Sequence, residues 1–143
     1  MSRPLMYRSL IAVGALAVLG FAFVAASVRA AEEKYPDISI TDLKAAIANK
    51  GVTVIDANGT DSYREGHIPG AIDFEAAGSN LESVLPTDKT ALVVAYCGGP
   101  QCMLYKAAAE KAAAMGYTNV KHLSAGISGW KAAGEKTDSA PAK

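Results

Sequence analysis

Apolar positions along this chain fall into short blocks of two different periods, separated by clusters of turn-forming residues. Blocks at 52–55, 71–74, 91–96 and 119–123 are too short for helices and carry β-branched or aromatic side chains, so each predicts a strand. Ala91-Leu92-Val93-Val94-Ala95-Tyr96 is the most apolar of them and predicts the central strand. Residues 38–40 alternate like one further short strand. Between these blocks the spacing becomes helical. Thr41-Asp42 starts a helix with Leu43, Ala46 and Ile47 on one face, and Gly51 stops it. Residues 61–65 and 80–84 fit one or two turns each. Met103 to Met115 is a strong helix former with Leu104, Ala108, Ala112 and Met115 along one face and Lys106, Glu110 and Lys111 outside it. Ser124-Ala125-Gly126 turns into a last segment over residues 127–133, before Gly134. Strands that alternate with helices predict an α/β domain, a small, mainly parallel sheet flanked by helices.

The first thirty residues follow a different pattern. Arg3 and Arg8 form a basic start, residues 10–26 are almost wholly apolar, and Ser27-Val28-Arg29-Ala30-Ala31 offers small residues for cleavage. This is the layout of a secretory signal peptide, with Val28 and Ala30 three and one before a cut that leaves Ala31 first. The competing reading is an uncleaved anchor, because the stretch nears the ~20 residues that span a bilayer. The small residues and the charged segment that follows favour cleavage. The expected organisation is a leader over 1–30, an extended lead-in over 31–37, one domain over 38–134 and a mobile polar tail over 135–143. The expected location is outside the cytoplasm, in the periplasm, or on the membrane if the leader stays attached.

Charge narrows the partners. The leader holds three of the fourteen Lys and Arg residues and none of the fourteen Asp and Glu, so the rest of the chain is net negative by three. No basic cluster stands out, which argues against nucleic acid.

Both cysteines, Cys97 and Cys102, bound a six-residue loop, Cys97-Gly98-Gly99-Pro100-Gln101-Cys102, between the central strand and the Ala-rich helix. A thiol placed there lies where the N–H groups and dipole of a helix start favour an anion, and the thiolate is the reactive form. Backbone N–H groups of Gly98, Gly99, Gln101, Cys102 and Met103 are candidates to ring the sulfur, and Pro100 has none to give. An exported chain permits a Cys97–Cys102 disulfide. The loop it would close is too short to act as a staple, so the pair reads as chemistry. Asp56 ends a strand and precedes Ala57-Asn58-Gly59-Thr60; it either orients the neighbouring loop or caps local N–H groups.

His67 invites a role as general base or ligand, but a ring that braces its turn is the simpler reading. His122 is remote from it in sequence, so a two-histidine metal site has little support, and no cofactor is expected. Trp130 reads as a plug in the core or at its rim.

With these pieces in order the chain resembles the rhodanese-like domain family, over about residues 38–134. Three stretches carry the resemblance: Val54-Ile55-Asp56 followed by Gly66-His67-Ile68-Pro69-Gly70-Ala71; Tyr96-Cys97 before a helix; and Gly116-Tyr117-Thr118-Asn119-Val120 leading to Leu123-Ser124-Ala125-Gly126-Ile127-Ser128-Gly129-Trp130. The resemblance implies a sulfurtransferase. The loop cysteine, here Cys97, takes a sulfane sulfur from a donor such as thiosulfate, becomes a persulfide, and passes the sulfur to cyanide or a thiol. The chain departs from the common pattern at Pro100, where many members have Gly, at Cys102, where many have Arg or Lys, and at Asn58, where many have Arg. Two cations that would attract an anionic donor are therefore missing, and Lys106 lies on the outer face of its helix.

Cys102 has two readings: a thiol that resolves a persulfide or sulfenic acid on Cys97, giving a reversible disulfide, or a small buried hydrophobe. Two further function classes stay open, a non-catalytic binding module and an exported thiol–disulfide redox protein. A phosphatase is disfavoured, because phosphate recognition in such loops uses a bidentate Arg and no Arg follows Arg64.

Overall fold

The computed structural model describes residues 34–140; the expected leader lies outside them. Four strands, β1 (Val52–Asp56), β2 (Ile72–Asp73), β3 (Leu92–Tyr96) and β4 (Val120–Leu123), form one sheet in the order β2-β1-β3-β4. All pairings are parallel, with Ile55 opposite Ile72, Asp56 opposite Tyr96, and Ala95 opposite His122. The helices are α1 (Ile40–Ala48), α2 (Thr60–Glu65), α3 (Phe74–Ala77), α4 (Leu81–Val84), α5 (Tyr105–Ala114) and α6 (Gly126–Ala132), with a 3-10 turn at Gly78–Asn80.

Period-two alternation along β3 divides the interior. Val93, Ala95 and Cys97 face one cluster, with Ile55, Leu81, Tyr105, Ala108, Ala109 and Ala112. Val94 and Tyr96 face the other, with Leu43, Val54, Ile68, Leu123 and Trp130. Trp130 is a core plug, and its Nε1–H donates to the carbonyl of Lys136 at 2.8 Å.

Several sequence expectations are corrected here. Residues 38–40 are not a strand: Ser39 caps α1, its hydroxyl accepting from the Asp42 N–H at 3.0 Å, and Ile40 is already helical. The alternation there was too short to outweigh a good capping serine. The strand expected over 71–74 keeps only Ile72–Asp73, because Asp73 accepts from the N–H groups of Glu75 and Ala76 and starts α3. Residues 135–140, expected to be mobile, lie on the domain. Asp138 pairs with His67 through two backbone hydrogen bonds of 2.9 Å, and the Ala140 N–H donates to the Arg64 carbonyl. On α5 Ala108 and Ala112 are buried and Met115 packs against the same core, but Tyr105 takes the inside place expected of Leu104, which is 58% exposed. Helix α5 begins at Tyr105 rather than Met103, so the two preceding apolar side chains fall before its first full turn.

Candidate active site

Strands β1 and β3 are neighbours, but β1 continues to β2 on one side and β3 to β4 on the other. The crevice at such a reversal, outside the carboxyl ends of the strands, is where open α/β sheets hold ligands. Two loops flank it: residues 57–59 after β1, and the cysteine loop after β3.

The cysteine loop is a turn held from outside. Cys97 leaves β3 buried, only 2% exposed, on the α5 side of the sheet. The Cys102 N–H donates to the Gly99 carbonyl at 2.9 Å, closing a four-residue turn with Pro100 at its second position, the place where proline's fixed φ suits a turn best. Cys97 and Cys102 are joined by a disulfide, with their Cα atoms 6.2 Å apart. Cys102 is partly exposed and, with Gly98, Gly99, Pro100, Gln101 and Ser128, lines a shallow open depression. Cys97 lies beneath it.

The first turn of α6 grips this loop. The Ile127 N–H donates to the Cys97 carbonyl at 2.9 Å and the Ser128 N–H to the Gly98 carbonyl at 3.0 Å. Gly126 makes the approach possible. Its φ is +58°, and a Cβ there would lie 2.5 Å from both the Cys97 oxygen and the Gly99 nitrogen. The expected ring of loop N–H groups is corrected in part: the Cys102 N–H is taken by the Gly99 carbonyl. Met103 is exposed and its carbonyl accepts from the Lys106 N–H, and α5 starts three residues beyond Cys102. The role of α6 was not visible in the sequence; Gly126 before an apolar helix was its only signal.

On the other side of the crevice, Asp56 is buried, and its carboxylate is fully engaged. One oxygen accepts from the backbone and side-chain N–H groups of Asn58, both at 2.8 Å. The other accepts from the Tyr96 hydroxyl at 2.5 Å. Tyr96 in turn accepts from the Ile68 N–H at 3.0 Å. Burial, reinforced by the negative charge of Asp56, raises the Tyr96 phenol far above its ordinary range. Burial also raises Tyr63, with Asp73, Asp56 and Asp138 adding to the effect. Of the two readings of Asp56 the structure shows the cap on local N–H groups, which also holds Asn58, whose Oδ1 lies 3.7 Å from where a Gly98 side chain would start.

His67 is not brought to the cysteine loop by any of its contacts. Its Nδ1–H donates to the Tyr63 carbonyl at 2.7 Å, its ring stacks on Tyr63 at 3.6 Å, and its backbone holds Asp138. His122 on β4 is buried and stacks on Tyr105 at 3.7 Å. It lines a groove of about 280 Å³ with Lys34, Pro100, Met103, Lys106 and Glu110. Lys106 thus stands at the edge of the cysteine loop as well as on the outside of α5. Among the described residues no cluster of three or more His, Cys, Asp or Glu side chains is arranged to hold a metal ion, and no helix is long and apolar enough to cross a membrane.

The model of the rhodanese-like domain matches residues 39–133. The chain belongs to the rhodanese-like domain family. Among solved structures, the BH2092 protein of Bacillus halodurans is 30% identical, with a TM-score of 0.63 over 73% of this chain and 77% of that one. The thiosulfate sulfurtransferase of Pseudomonas aeruginosa is 28% identical, with a TM-score of 0.61 over 74% of this chain and 20% of that much longer one. An HTH-type transcriptional regulator of Mycobacterium tuberculosis is 35% identical over 88 residues, which are 61% of this chain and 38% of the regulator. The chain is thus similar to parts of two longer proteins, a thiosulfate sulfurtransferase and an HTH-type transcriptional regulator.

Proposed function

We propose that this rhodanese-like domain is a sulfurtransferase that works through a persulfide on Cys97. The observation that carries the reading is the position of Cys97, at the end of the central strand β3 and beside the crevice between β1 and β3. In its thiolate form Cys97 attacks the outer sulfur of a donor such as thiosulfate, sulfite leaves, and the persulfide then gives its outer sulfur to a thiol or cyanide. Gly98, Gly99, Pro100 and Gln101 line the open depression together with Cys102, and Asn58, held by Asp56, lies on the β1 side of the crevice. Lys106 and Lys34, on the groove that Pro100 also lines, would draw in an anionic donor. The leader exports the protein, and the site works in the periplasm on small sulfur compounds.

The test is thiocyanate formation from thiosulfate and cyanide by the fully reduced protein, with Cys97→Ser beside it. Turnover that disappears in Cys97→Ser supports the reading. Reduced wild type without turnover, and without either a one-sulfur adduct or released sulfide after thiosulfate, leaves the non-catalytic binding module in its place. N-terminal sequencing of exported protein starting at Ala31 supports the cleaved leader, and a start at Met1 or Ser2 refutes it.

A further inference from the structure

Cys102 stands where the missing loop cation would be, and it is bonded to the sulfur that the sulfurtransferase reading requires as nucleophile. We infer that this pair makes the domain a sulfane-sulfur reductase: Cys102 resolves the Cys97 persulfide, releases hydrosulfide, and leaves the disulfide to be reopened by an external thiol. This rests on the sulfurtransferase reading and goes beyond it, because the sulfur leaves as sulfide with no acceptor to carry it.

Three features support the inference. The cysteine Cα atoms are 6.2 Å apart, within the span of an ordinary disulfide, and the intervening turn is closed by its own Gly99–Cys102 hydrogen bond and held by α6. The Cys102 sulfur therefore reaches the inner sulfur of a Cys97 persulfide while the loop keeps its hydrogen bonds. Second, exposure is unequal: Cys97 is 2% exposed, whereas Cys102 is partly exposed and lines the open depression. Third, the depression that Cys102 lines is open and is bordered by Gly98, Gly99, Pro100, Gln101 and Ser128, so a small thiol can approach the Cys102 sulfur from that side.

The steps balance. The Cys97 thiolate attacks the outer sulfur of thiosulfate, and sulfite leaves with the electron pair of the broken S–S bond. The Cys102 thiol, losing its proton, then attacks the inner sulfur of the persulfide; a Cys97–Cys102 bond forms, the persulfide S–S bond breaks, and the outer sulfur departs as hydrosulfide carrying that proton. Two cysteine thiols are oxidised and one sulfane sulfur is reduced. An external thiolate next attacks the accessible Cys102 sulfur and expels the Cys97 thiolate, and a second thiol clears the mixed disulfide from Cys102. The accessible sulfur thus takes the reductant while the buried one is returned as nucleophile.

The experiment is a single turnover. Fully reduced wild type, freed of small thiols, is mixed with thiosulfate; free sulfide is measured and the intact protein is weighed. Wild type should release up to one sulfide per chain and lose the mass of two hydrogens, while Cys102→Ser and Cys102→Ala should keep the added mass of one sulfur and release none. Glutathione added to the oxidised wild type and quenched with an alkylating agent should be found as a mixed disulfide on Cys102, with Cys97 alkylated. Persistent persulfide and a free Cys102 thiol in wild type, or sulfide release from both Cys102 variants, overturns the inference. Thiocyanate formation by wild type that releases no sulfide overturns the inference alone. Absence of thiocyanate, adduct and sulfide together removes the sulfurtransferase reading as well.

Discussion

Gly126→Ala is a small change expected to reach the sulfur chemistry through the backbone. A Cβ at this position would lie 2.5 Å from the Cys97 carbonyl oxygen and the Gly99 nitrogen, and 2.7 Å from the Gly98 carbonyl carbon. All three are backbone atoms, so no side chain can rotate away, and the loop must move by roughly 0.5 Å to reach a tolerable contact. The residue also sits at φ +58°, where an alanine costs about 1–3 kcal/mol. Moving the loop weakens the Ile127–Cys97 and Ser128–Gly98 hydrogen bonds, about 1 kcal/mol each. The expected loss is about 2–4 kcal/mol in urea unfolding, with sulfur transfer slowed about 10-fold to 100-fold by the misplaced thiolate. Gly116→Ala is the control, because Gly116 has φ +94° and no atom within 4 Å of the added carbon. It carries the conformational cost without the collision, and its turnover should match wild type. If Gly126→Ala loses no more stability than Gly116→Ala and turns over normally, the claim that α6 positions the cysteine loop is wrong.

Tyr96→Phe should cost about 2–4 kcal/mol in urea unfolding, since it leaves the buried Asp56 carboxylate one donor short and the Ile68 N–H without its acceptor. The raised phenols of Tyr96 and Tyr63 contribute stability that is present below the unfolded tyrosine pKa of about 10 and is lost as pH rises above it. Stability followed by denaturant midpoint should therefore be flat from neutral pH to about 9 and fall beyond 10, with a shallower fall in Tyr96→Phe. Ending the chain at Glu135 removes the Lys136 carbonyl from Trp130 and Asp138 from His67, and should lower stability by about 2–3 kcal/mol, read as a drop in Tm. Cys102→Arg restores a cation to the loop and should lower the KM for thiosulfate about 10-fold through a charge-assisted hydrogen bond; an unchanged KM would show that the donor does not meet this position.

The elements that carry the site were readable where local pattern and tertiary demand agree. The apolar run ending at Tyr96, the glycine-rich loop and the alanines of α5 each state their structure within a few residues. The structure departs from the local pattern where a long-range partner decides the outcome. Leu104 gave way to Tyr105 inside because Tyr105 stacks on His122, which belongs to a strand that starts fifteen residues later. The tail looked polar and free because its ordering comes from backbone bonds to His67 and Arg64, which leave no mark on side-chain composition. Tyr96 counted as one more apolar residue in a strand, and its hydroxyl, the centre of the Asp56–Ile68 link, was invisible to a hydropathy pattern. The hold of α6 on the loop was likewise beyond any local signal, since it depends on two carbonyls meeting two N–H groups across the fold.

The alternation along β3 makes that strand a sorting device for two kinds of chemistry. Val93, Ala95 and Cys97 project to one side, Val94 and Tyr96 to the other, so the thiol and the phenol are delivered to opposite compartments by adjacent residues of one strand. Loss or gain of a single residue between Leu92 and Tyr96 would exchange them, turning the phenol toward α5 and the thiol toward Asp56. Length inside this strand is therefore as restrictive as residue type. Variation that preserves function can enter the connection before β3, but the distance from Leu92 to Cys97 admits no change of one.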